Sequence, residues 1–465
     1  MILKGPGCMG CPAYSRGRFM CPDDRKPGAR VIIVAQNPGQ DEIDGRHFVR
    51  YTGPDAGGEI YEADEPRPMI GKTGYELDKH FLPLAGLRRD DVECRNVVRC
   101  RLNESNDLPP LTTTMAREMV RHCQRSYWKE PNEGQTLVAL GAYALWALTG
   151  EYEGDEEDSD AADDDLRAPR SIDGWRGWAL PYLPVHRDVE GGGSLVTVFA
   201  TYHPAFYWRA HWLKPVGRSD WARLGKLLKG TWPEPFPTMY DYSPAITPQS
   251  FAFDTEYNPW TRELHRFSVA WRSPQDEPSI YVVEARDVER VQPMPPWHVI
   301  AQNIEADWPF IAPIFGREPD DWDDTMLMHG VLHGTLRHNL DFMGSCYARH
   351  NRWKTLQETN PQVYAGMDAL ATWDIHHALE RELARDAQSA ALYQLELKPL
   401  VPILLARPSV NLNAMHIVQA VQLLSAEQDE LGRKAQALAG WPINIGSADM
   451  VARWIRRKVD AGQAE

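Results

Sequence analysis

The sequence predicts an α/β protein of more than one domain, with a helical C-terminal part. At 465 residues the chain is too long for one hydrophobic core. From Val31 to about residue 230, and again from about residue 251, short apolar runs alternate with segments of helical periodicity, which is typical of sheets covered by helices. From about residue 387 the apolar spacing is helical only, so we expect no further sheet there.

The first α/β region is expected to hold a mostly parallel sheet. The predicted strands are VIIV, VECRNVV, TLVAL and LVTVFATY, starting at residues 31, 92, 136 and 195. Helices are expected at about 75–85 and 114–128, with a short one after TLVAL. We predict VIIV to be the central strand, and the turn Gln36-Asn37-Pro38-Gly39 follows its carboxyl end. Open α/β sheets bind ligands at that end, so this turn is a candidate site.

The second α/β region follows a proline-rich stretch. Residues 231–250 are too proline-dense for a helix or a central strand, which indicates a semi-rigid linker. The strands predicted after it are SFAFDTEY, HRFSVAW, YVVEA and WHVIAQN, and helices are expected around Asp307 and at about 361–386.

The composition describes a globular chain. Of the residues 43% are hydrophobic, no apolar run is long enough to cross a membrane, and the first residues lack a signal-peptide core, so we expect a cytoplasmic protein. The net charge of −15 argues superficially against a nucleic-acid partner. However, residues 151–166 carry ten acidic residues and no basic one, which leaves the remainder near −5. We interpret 151–170 as a disordered acidic insertion.

Carboxylates in the second α/β region indicate metal chemistry. Asp254 and Glu256 lie two residues apart on a predicted strand, so both side chains point to one face. Two like charges side by side are unfavourable unless a cation neutralises them. Asp307 and Asp368 follow in AQNIEADW and YAGMDALAT, and Tyr364 lies one helical turn before Asp368.

These motifs resemble those of the DnaQ-like 3'-5' exonucleases, which have an RNase H-like fold, over about residues 251–385. The resemblance implies two Mg²⁺ or Mn²⁺ ions, roughly 3.5 to 4 Å apart, that bracket a DNA phosphate. Their ligands would be Asp254, Glu256, Asp307 and Asp368. It also implies that Tyr364 orients the attacking water, that Asn303 contacts substrate and that Asp324 is a more structural acid. The substrate would be DNA, single-stranded or with a frayed 3' end.

Five short motifs of the first region occur in a family order. They are the turn after VIIV, Gly45-Arg-His-Phe-Val49, Gly71-Lys-Thr-Gly74, Arg95-Asn-Val-Val-Arg-Cys100 and Ala200-Thr-Tyr-His-Pro-Ala-Phe-Tyr-Trp-Arg209. Together they resemble the uracil-DNA glycosylase superfamily, most closely the iron-sulfur enzymes of family 4, over about residues 1–230. The resemblance implies an α/β/α sandwich and a pocket that reads the Watson–Crick edge of a flipped base.

The same resemblance implies roles for individual residues. Phe48 matches the aromatic that stacks on uracil, and Asn96 matches the amide that pairs with uracil N3–H and O4. His203 matches the histidine that stabilises negative charge developing at uracil O2. Glu42 falls where an acid lies near uracil C5, while Gln36 and Gly39 belong to the turn that approaches the base.

The turn departs from family 4, which usually has Gly-Glu-(Ala/Gly)-Pro-Gly where this chain has Ala35-Gln-Asn-Pro-Gly39. It looks more like the turn of family 1 enzymes and of mismatch-specific thymine and uracil glycosylases, whose side chain at this place positions the attacking water. Asn37 is not a strong base, so it would orient water rather than deprotonate it. Excision of uracil and binding without excision both stay open.

Cysteine spacing indicates a metal centre. The chain has seven cysteines, and an odd number in a cytoplasmic protein argues against a disulfide framework. Cys8 and Cys11 are spaced to share one centre, and the resemblance implies that Cys100 and Cys123 complete a 4Fe-4S cluster. Spacing alone allows a structural zinc equally.

The tail, 386–465, resembles the helical segment that begins the polymerase domain of family A DNA polymerases and leads into the thumb. The catalytic palm and fingers are not in the sequence, so we expect either the front of a longer polymerase or a separate polymerase subunit. This order of domains is one we associate with bacteriophage replication proteins, which would act in the host cytoplasm.

The sequence thus predicts a DNA replication or repair protein with a metal-dependent 3'-5' exonuclease and a domain that recognises or excises uracil. Two alternatives remain. The N-terminal domain could be a non-catalytic binding module, or the whole chain could be a scaffold that docks a polymerase.

Overall fold

A computed structural model describes residues 2–3, 5–51, 59–102, 108–150, 170–183, 196–240, 248–291, 297–406, 414–440, 450–452 and 454–455. The acidic insertion predicted at 151–170 therefore lies outside the described residues except for Arg170, as do 241–247 of the predicted linker and much of the end of the tail. The chain divides into two compact units, Met1–Val401 and Pro402–Glu465.

The strands are β1 (Ile2–Leu3), β2 (Gly17–Met20), β3 (Val31–Ala35), β4 (Arg46–Tyr51), β5 (Glu59–Ala63), β6 (Val92–Asn96), β7 (Cys100–Leu102), β8 (Thr136–Leu140), β9 (Ala179–Pro181), β10 (Thr197–Thr201), β11 (Ser250–Tyr257), β12 (Leu264–Arg272), β13 (Pro278–Glu284), β14 (His298–Ala301) and β15 (Asp321–Asp324).

The α-helices are α1 (Gln40–Asp44), α2 (Lys72–Glu76), α3 (Thr114–Tyr127), α4 (Ala142–Thr149), α5 (Ile172–Trp175), α6 (Phe206–Arg209), α7 (Lys214–Leu228), α8 (Ile304–Phe315), α9 (Thr325–Leu332), α10 (Leu340–Tyr347), α11 (Pro361–Leu383), α12 (Ala387–Leu392), α13 (Lys398–Leu405) and α14 (Ala414–Ala439). Short 3-10 or π turns lie at Pro6–Cys8, Leu77–Phe81, Leu82–Ala85, Arg89–Asp91, His211–Leu213, Ala285–Arg290, Lys354–Leu356 and Tyr393–Leu397.

The first large sheet has the strand order β6-β3-β8-β10-β9, with β9 antiparallel to its neighbour and the other pairs parallel. The prediction that β3 is central is wrong in detail, because β3 is an interior strand and β8 lies in the middle. All five residues of β3 are buried. Val31 and Ile33 pack into one core cluster, and Ile32 and Val34 into another, so the alternating side chains of this strand are covered on both faces.

The second large sheet has the order β13-β12-β11-β14-β15. The first three strands are antiparallel, and β14 and β15 continue the sheet in parallel with β11. The long predicted helix is α11, which packs across this sheet and against β12 most extensively. There are two smaller sheets among the described residues, β1-β2-β7 and β4-β5. Along the sequence, their strands precede or lie between the strands of the first large sheet.

The described part of the predicted linker is packed rather than extended into solvent. Trp232 is buried, and the backbone of Tyr240 pairs with β13, donating to Ile280 O at 3.0 Å and accepting from Val282 N at 3.2 Å. Proline density therefore marked a segment without regular structure, and the buried Trp232 side chain and the backbone of Tyr240 attach its described part to the folded chain.

No sheet strand follows β15 in the described residues, as the sequence predicted. Among the same residues, none of the helices combines the length and the hydropathy that a membrane span requires.

Candidate active sites and a cysteine cavity

An open cleft lies at the carboxyl edge of the first sheet. Asn37 and Gly39 from the turn after β3 line it, together with Glu42 of α1 and His203, which follows β10. Carboxyl ends of parallel strands meet at one edge, so residues 166 positions apart in sequence reach one cleft. The structure thus brings together four of the predicted uracil-site residues.

His203 is an uncharged imidazole in this cleft. Its Nδ1 accepts a hydrogen bond from the backbone N–H of Ala205 at 3.3 Å, which leaves the proton on Nε2. Burial lowers the pKa of His203 to about 4, and the positive charge of Arg209 contributes in the same direction. At neutral pH the ring therefore offers an N–H donor without a positive charge, a form suited to stabilising a developing oxyanion.

Glu42 holds the turn in place. Its two carboxylate oxygens accept hydrogen bonds from the backbone N–H groups of Gly39, at 2.9 Å, and Met69, at 2.6 Å. Burial raises the pKa of Glu42 to about 7, against the opposing effect of these two hydrogen bonds. The side chain connects two loops of the cleft, a structural role that sequence reasoning did not assign to it.

Asn96 and Phe48 do not line the cleft. Asn96 is the last residue of β6, opposite Ala35, and its buried Nδ2 has no hydrogen-bond partner among the described residues. Phe48 is fully buried and packs edge-on against Tyr61 and Tyr75, with ring centroids 5.2 Å apart in both pairs. Gln36 has a half-exposed side chain, and its carbonyl accepts from the N–H of Val98 at 3.0 Å.

Further cleft residues had no individual role predicted from the sequence. They are Asp41, Arg46, Tyr61, Lys72, Thr73 and Trp208. Arg46, Lys72, Thr73 and Trp208 lie within the motifs of the resemblance, so those motifs were the available signal. Trp208 is 48% exposed and lies five residues after His203.

A second, much smaller cavity is lined by all four predicted metal-binding cysteines, Cys8, Cys11, Cys100 and Cys123. Burial raises the pKa of the Cys123 thiol to about 12. Cys8 lies 3.2 Å from the hydroxyl of Tyr127 and donates to the sulfur of Met20 at 3.5 Å. Cys21 and Cys94 are buried elsewhere and do not line this cavity.

In the second sheet, Asp254, Glu256 and Asp368 offer carboxylate oxygens that all lie within 4.8 Å of one another. Asp254 and Glu256 come from β11, and Asp368 comes from α11. Burial and then the charge of Asp368 raise the pKa of both Asp254 and Glu256. Among the described residues, Oδ2 of Asp254 is buried without a hydrogen-bond partner, which fits an oxygen that binds a cation.

Asp307 lies beside this trio. Its Oδ1 accepts from the backbone N–H of Thr255 at 3.1 Å and from the Thr255 hydroxyl at 2.5 Å. Burial raises the pKa of Asp307 to about 7, and its charge contributes to the raised pKa of Asp254. The fourth predicted carboxylate is therefore near the other three but is oriented by Thr255.

Asn303 and Asp324 are hydrogen-bonded to each other at the start of α8. Asn303 has φ = 61° at the N-cap of α8, a left-handed conformation that asparagine tolerates better than most residues. Asp324 accepts from the backbone N–H groups of Asn303 and Ile304, both at 3.0 Å, and caps α9 through Met326 N at 2.8 Å. This geometry matches the structural role expected for Asp324.

Lys354 is a cation in the carboxylate site that sequence reasoning missed. Its Nζ donates to both oxygens of Asp368, at 2.7 and 2.8 Å, and to the hydroxyl of Tyr364 at 3.2 Å. Burial opposes the charged ammonium, yet the negative charge of Asp368 outweighs it and raises the pKa of Lys354. Lys354 lies outside the three recognised motifs. The one available sequence signal was its position as a basic residue ten positions before Tyr364.

The described residues thus form two α/β parts, each with its own polar site. Comparison with known proteins identifies both domains. The uracil DNA glycosylase superfamily model matches residues 22–221, and a 3'-5' exonuclease model matches residues 243–384. The chain therefore contains a uracil-DNA glycosylase superfamily domain and a 3'-5' exonuclease domain.

Two curated relatives are type-4 uracil-DNA glycosylases. The one from Archaeoglobus fulgidus is 24% identical over 242 residues, covering 50% of this chain and 93% of the relative. The one from Thermotoga maritima is 27% identical over 140 residues, covering 30% of this chain and 58% of the relative.

Solved structures similar to parts of the chain include NrnC of Brucella melitensis and the POL domain of Pol1 from M. smegmatis. The first is 19% identical, with 36% of this chain and 91% of NrnC covered and a TM-score of 0.27. The second is 19% identical, with 43% of this chain and 35% of the Pol1 chain covered and a TM-score of 0.29.

Proposed function

We propose that this protein is a DNA-processing enzyme that combines a metal-dependent 3'-5' exonuclease with a domain that recognises or excises uracil. The observation that carries the exonuclease proposal is the close-packed trio of carboxylates Asp254, Glu256 and Asp368, of which Asp368 is buried. Three carboxylates within 4.8 Å of one another are unfavourable without added positive charge.

Asp254, Glu256, Asp307 and Asp368 would hold Mg²⁺ or Mn²⁺. The ions would supply positive charge at the phosphate and lower the pKa of a bound water. Tyr364 would orient that water through its hydroxyl, which already accepts a hydrogen bond from Lys354. Because Lys354 donates the proton in that contact, the Tyr364 O–H stays available as a donor to water or phosphate.

The uracil proposal rests on the cleft at the first sheet. His203 would donate from Nε2 to uracil O2, and Asn37 would orient a water. The buried, unpartnered Nδ2 of Asn96 is a donor that a base edge could satisfy. The ring of Phe48 is buried against Tyr61 and Tyr75 and does not line the cleft. Stacking of Phe48 on the base therefore stays a prediction. Glu42 would act on the base indirectly, by fixing the turn at Gly39.

Cys8, Cys11, Cys100 and Cys123 would hold a 4Fe-4S cluster, with zinc as the alternative, because all four line one cavity. Iron and acid-labile sulfide, with absorbance near 400 nm, are expected in anaerobically purified protein, and zinc with no such absorbance would overturn the cluster.

The exonuclease test uses 5'-labelled single strands. Wild-type protein with Mg²⁺ or Mn²⁺ should shorten the strand from its 3' end, and Asp254→Ala should not. Shortening that persists in Asp254→Ala at the wild-type rate would contradict the assignment.

The uracil test uses the Asp254→Ala background, so that the strand stays intact. Alkali-labile sites at uracil that disappear in His203→Ala would establish excision. Binding of uracil DNA without such sites would instead favour the alternative, a non-catalytic recognition module.

Residues 386–465 are proposed to contact a polymerase domain or subunit, and the whole protein to act in the cytoplasm, in a phage-infected host if phage-encoded. In the second compact unit, α14 exposes apolar side chains, including Leu423 at 73% and Leu438 at 72%. Co-purification of a polymerase that is lost on replacing these leucines with glutamate would support this partner.

A further inference from the structure

Among the described residues, much of the contact between the exonuclease domain and the glycosylase-like domain comes from one short segment, residues 344–354. Arg337 and Phe342 add contacts with Asp173 and Arg176. Asn351 pairs with the outer edge of β9: its Oδ1 accepts from Ala179 N–H at 3.2 Å and its Nδ2 donates to Ala179 O at 2.8 Å. A side-chain amide here replaces a further strand, so the edge of the first sheet specifies where this segment lies.

Arg223 of α7 fixes the other end of the segment. Its guanidinium lies between the rings of Trp178 and Trp232, 5.2 and 4.9 Å from their centroids. It donates to the carbonyls of Gly344, at 3.2 Å, and Ala348, at 3.0 Å. Burial lowers the pKa of Arg223 to about 10, so it remains a cation at neutral pH.

This segment ends at the carboxylate trio. Trp353 is fully buried and packs edge-on against Trp178, with ring centroids 6.0 Å apart. Its Nε1 donates to Oδ1 of Asp368 at 2.5 Å. A Cβ on Gly344 would lie 2.8 Å from Trp353 Cη2, so glycine is required for the Trp353 indole to pack here.

We propose that the glycosylase-like domain is a positioning element of the exonuclease site. Trp178 fixes the indole of Trp353, and Trp353 fixes the carboxylate of Asp368 for metal binding. The inference rests on the proposed exonuclease function. Trp353 and Lys354 are adjacent and both donate to Asp368, so the position of this segment sets both contacts.

The test uses the full-length chain and reads the Mn²⁺ concentration for half-maximal 3' cleavage, with Mn²⁺ binding followed by electron paramagnetic resonance. Loss of a hydrogen bond to a metal ligand typically weakens metal binding by about 10-fold or more. We expect Trp353→Phe and Trp178→Leu each to raise that concentration by about 10-fold, with the cleavage rate largely restored at saturating Mn²⁺. Trp146→Phe, a buried tryptophan in α4 away from the segment, is the matched control and should leave it unchanged.

Asn351→Ala is a second variant, which removes the pairing with β9 without opening a cavity in the core and so avoids misfolding. We expect it also to raise the Mn²⁺ concentration for half-maximal cleavage. Hydrogen exchange of residues 344–356 in metal-free protein should also be faster in Trp178→Leu. Unchanged Mn²⁺ dependence and exchange in Trp178→Leu would overturn the inference. If wild type neither binds Mn²⁺ nor cleaves, the exonuclease proposal fails, and exchange alone then decides whether Trp178 orders the segment.

Discussion

At the scale of single residues, His203 shows how burial selects a chemical form. Its pKa of about 4 lies below the ordinary value of 6.5. As pH falls through 6.5, His203 of the unfolded chain takes up a proton before His203 of the folded chain does. The folded state therefore loses stability as pH falls from about 6.5 to about 4, and His203 causes no such loss above pH of about 6.5.

We therefore expect wild-type protein to lose more stability between pH 7 and 4.5 than His203→Gln does. Urea unfolding at both pH values measures the difference. Uracil-dependent activity should also fall as pH approaches 4 in a His203-dependent way. Equal losses of stability in the two proteins would contradict a neutral imidazole at His203.

Lys354 gives a second prediction at this scale. Without metal, it supplies a positive charge to carboxylates that would otherwise repel one another. Removing one partner of a buried ion pair typically costs about 3–5 kcal/mol. Lys354→Met should thus lower the unfolding free energy of metal-free protein by about that amount, and Mn²⁺ should restore more stability in the variant than in wild type.

Calorimetry with and without Mn²⁺ measures this effect. Lys214→Met is the control, since Lys214 pairs with Glu76 at 2.9 Å, away from the trio. A loss in Lys354→Met that is the same with and without Mn²⁺ would show that Lys354 supports packing rather than the charge balance of the site.

At the scale of elements, the shape of the cleft depends on a hydrogen bond that joins helix α1 to the loop before α2. Glu42 of α1 accepts from the N–H of Met69, which has a left-handed φ of 59°. A Cβ on Gly74 of α2 would lie 1.8 Å from the Met69 carbonyl, so only glycine fits there. Backbone strain at Met69 is held by these two neighbours.

Glu42→Gln tests that connection. Glutamine has one accepting oxygen, so its NH₂ group would face one of the two backbone N–H donors. We expect unfolding free energy to fall by about 1–3 kcal/mol and uracil-DNA affinity to fall with it. Urea unfolding and a binding titration measure both, with Glu118→Gln on the exposed face of α3 as control. If Glu42→Gln is destabilised but keeps the wild-type affinity for uracil DNA, the position of the turn does not contribute to recognition of the base.

At the scale of the whole molecule, the two sites differ in what they require. The carboxylate trio and the uracil cleft are formed by different sheets. Brief treatment with EDTA should therefore abolish 3' shortening and leave uracil-DNA binding unchanged, and added Mn²⁺ should restore shortening. Loss of both activities would indicate that the cleft also depends on a chelatable ion.

Much of this architecture could be predicted because it is encoded locally. Alternating β-branched runs and helical periodicity gave nearly all strands of both large sheets, and α11 was expected at 361–386 and observed at Pro361–Leu383. The spacing of Asp254 and Glu256 on one strand placed both on one face, and the structure brings Asp368 to them.

The sequence by itself determined the order of the elements, the strand ends that carry polar residues and the carboxylate motifs, because these depend on spacing along the chain. Only the tertiary structure decided that β8 rather than β3 is central, that Phe48 is buried beside Tyr61, and that Trp353 and Lys354 bind Asp368. Those outcomes depend on which distant side chains fill the space between packed elements, and no local pattern records that.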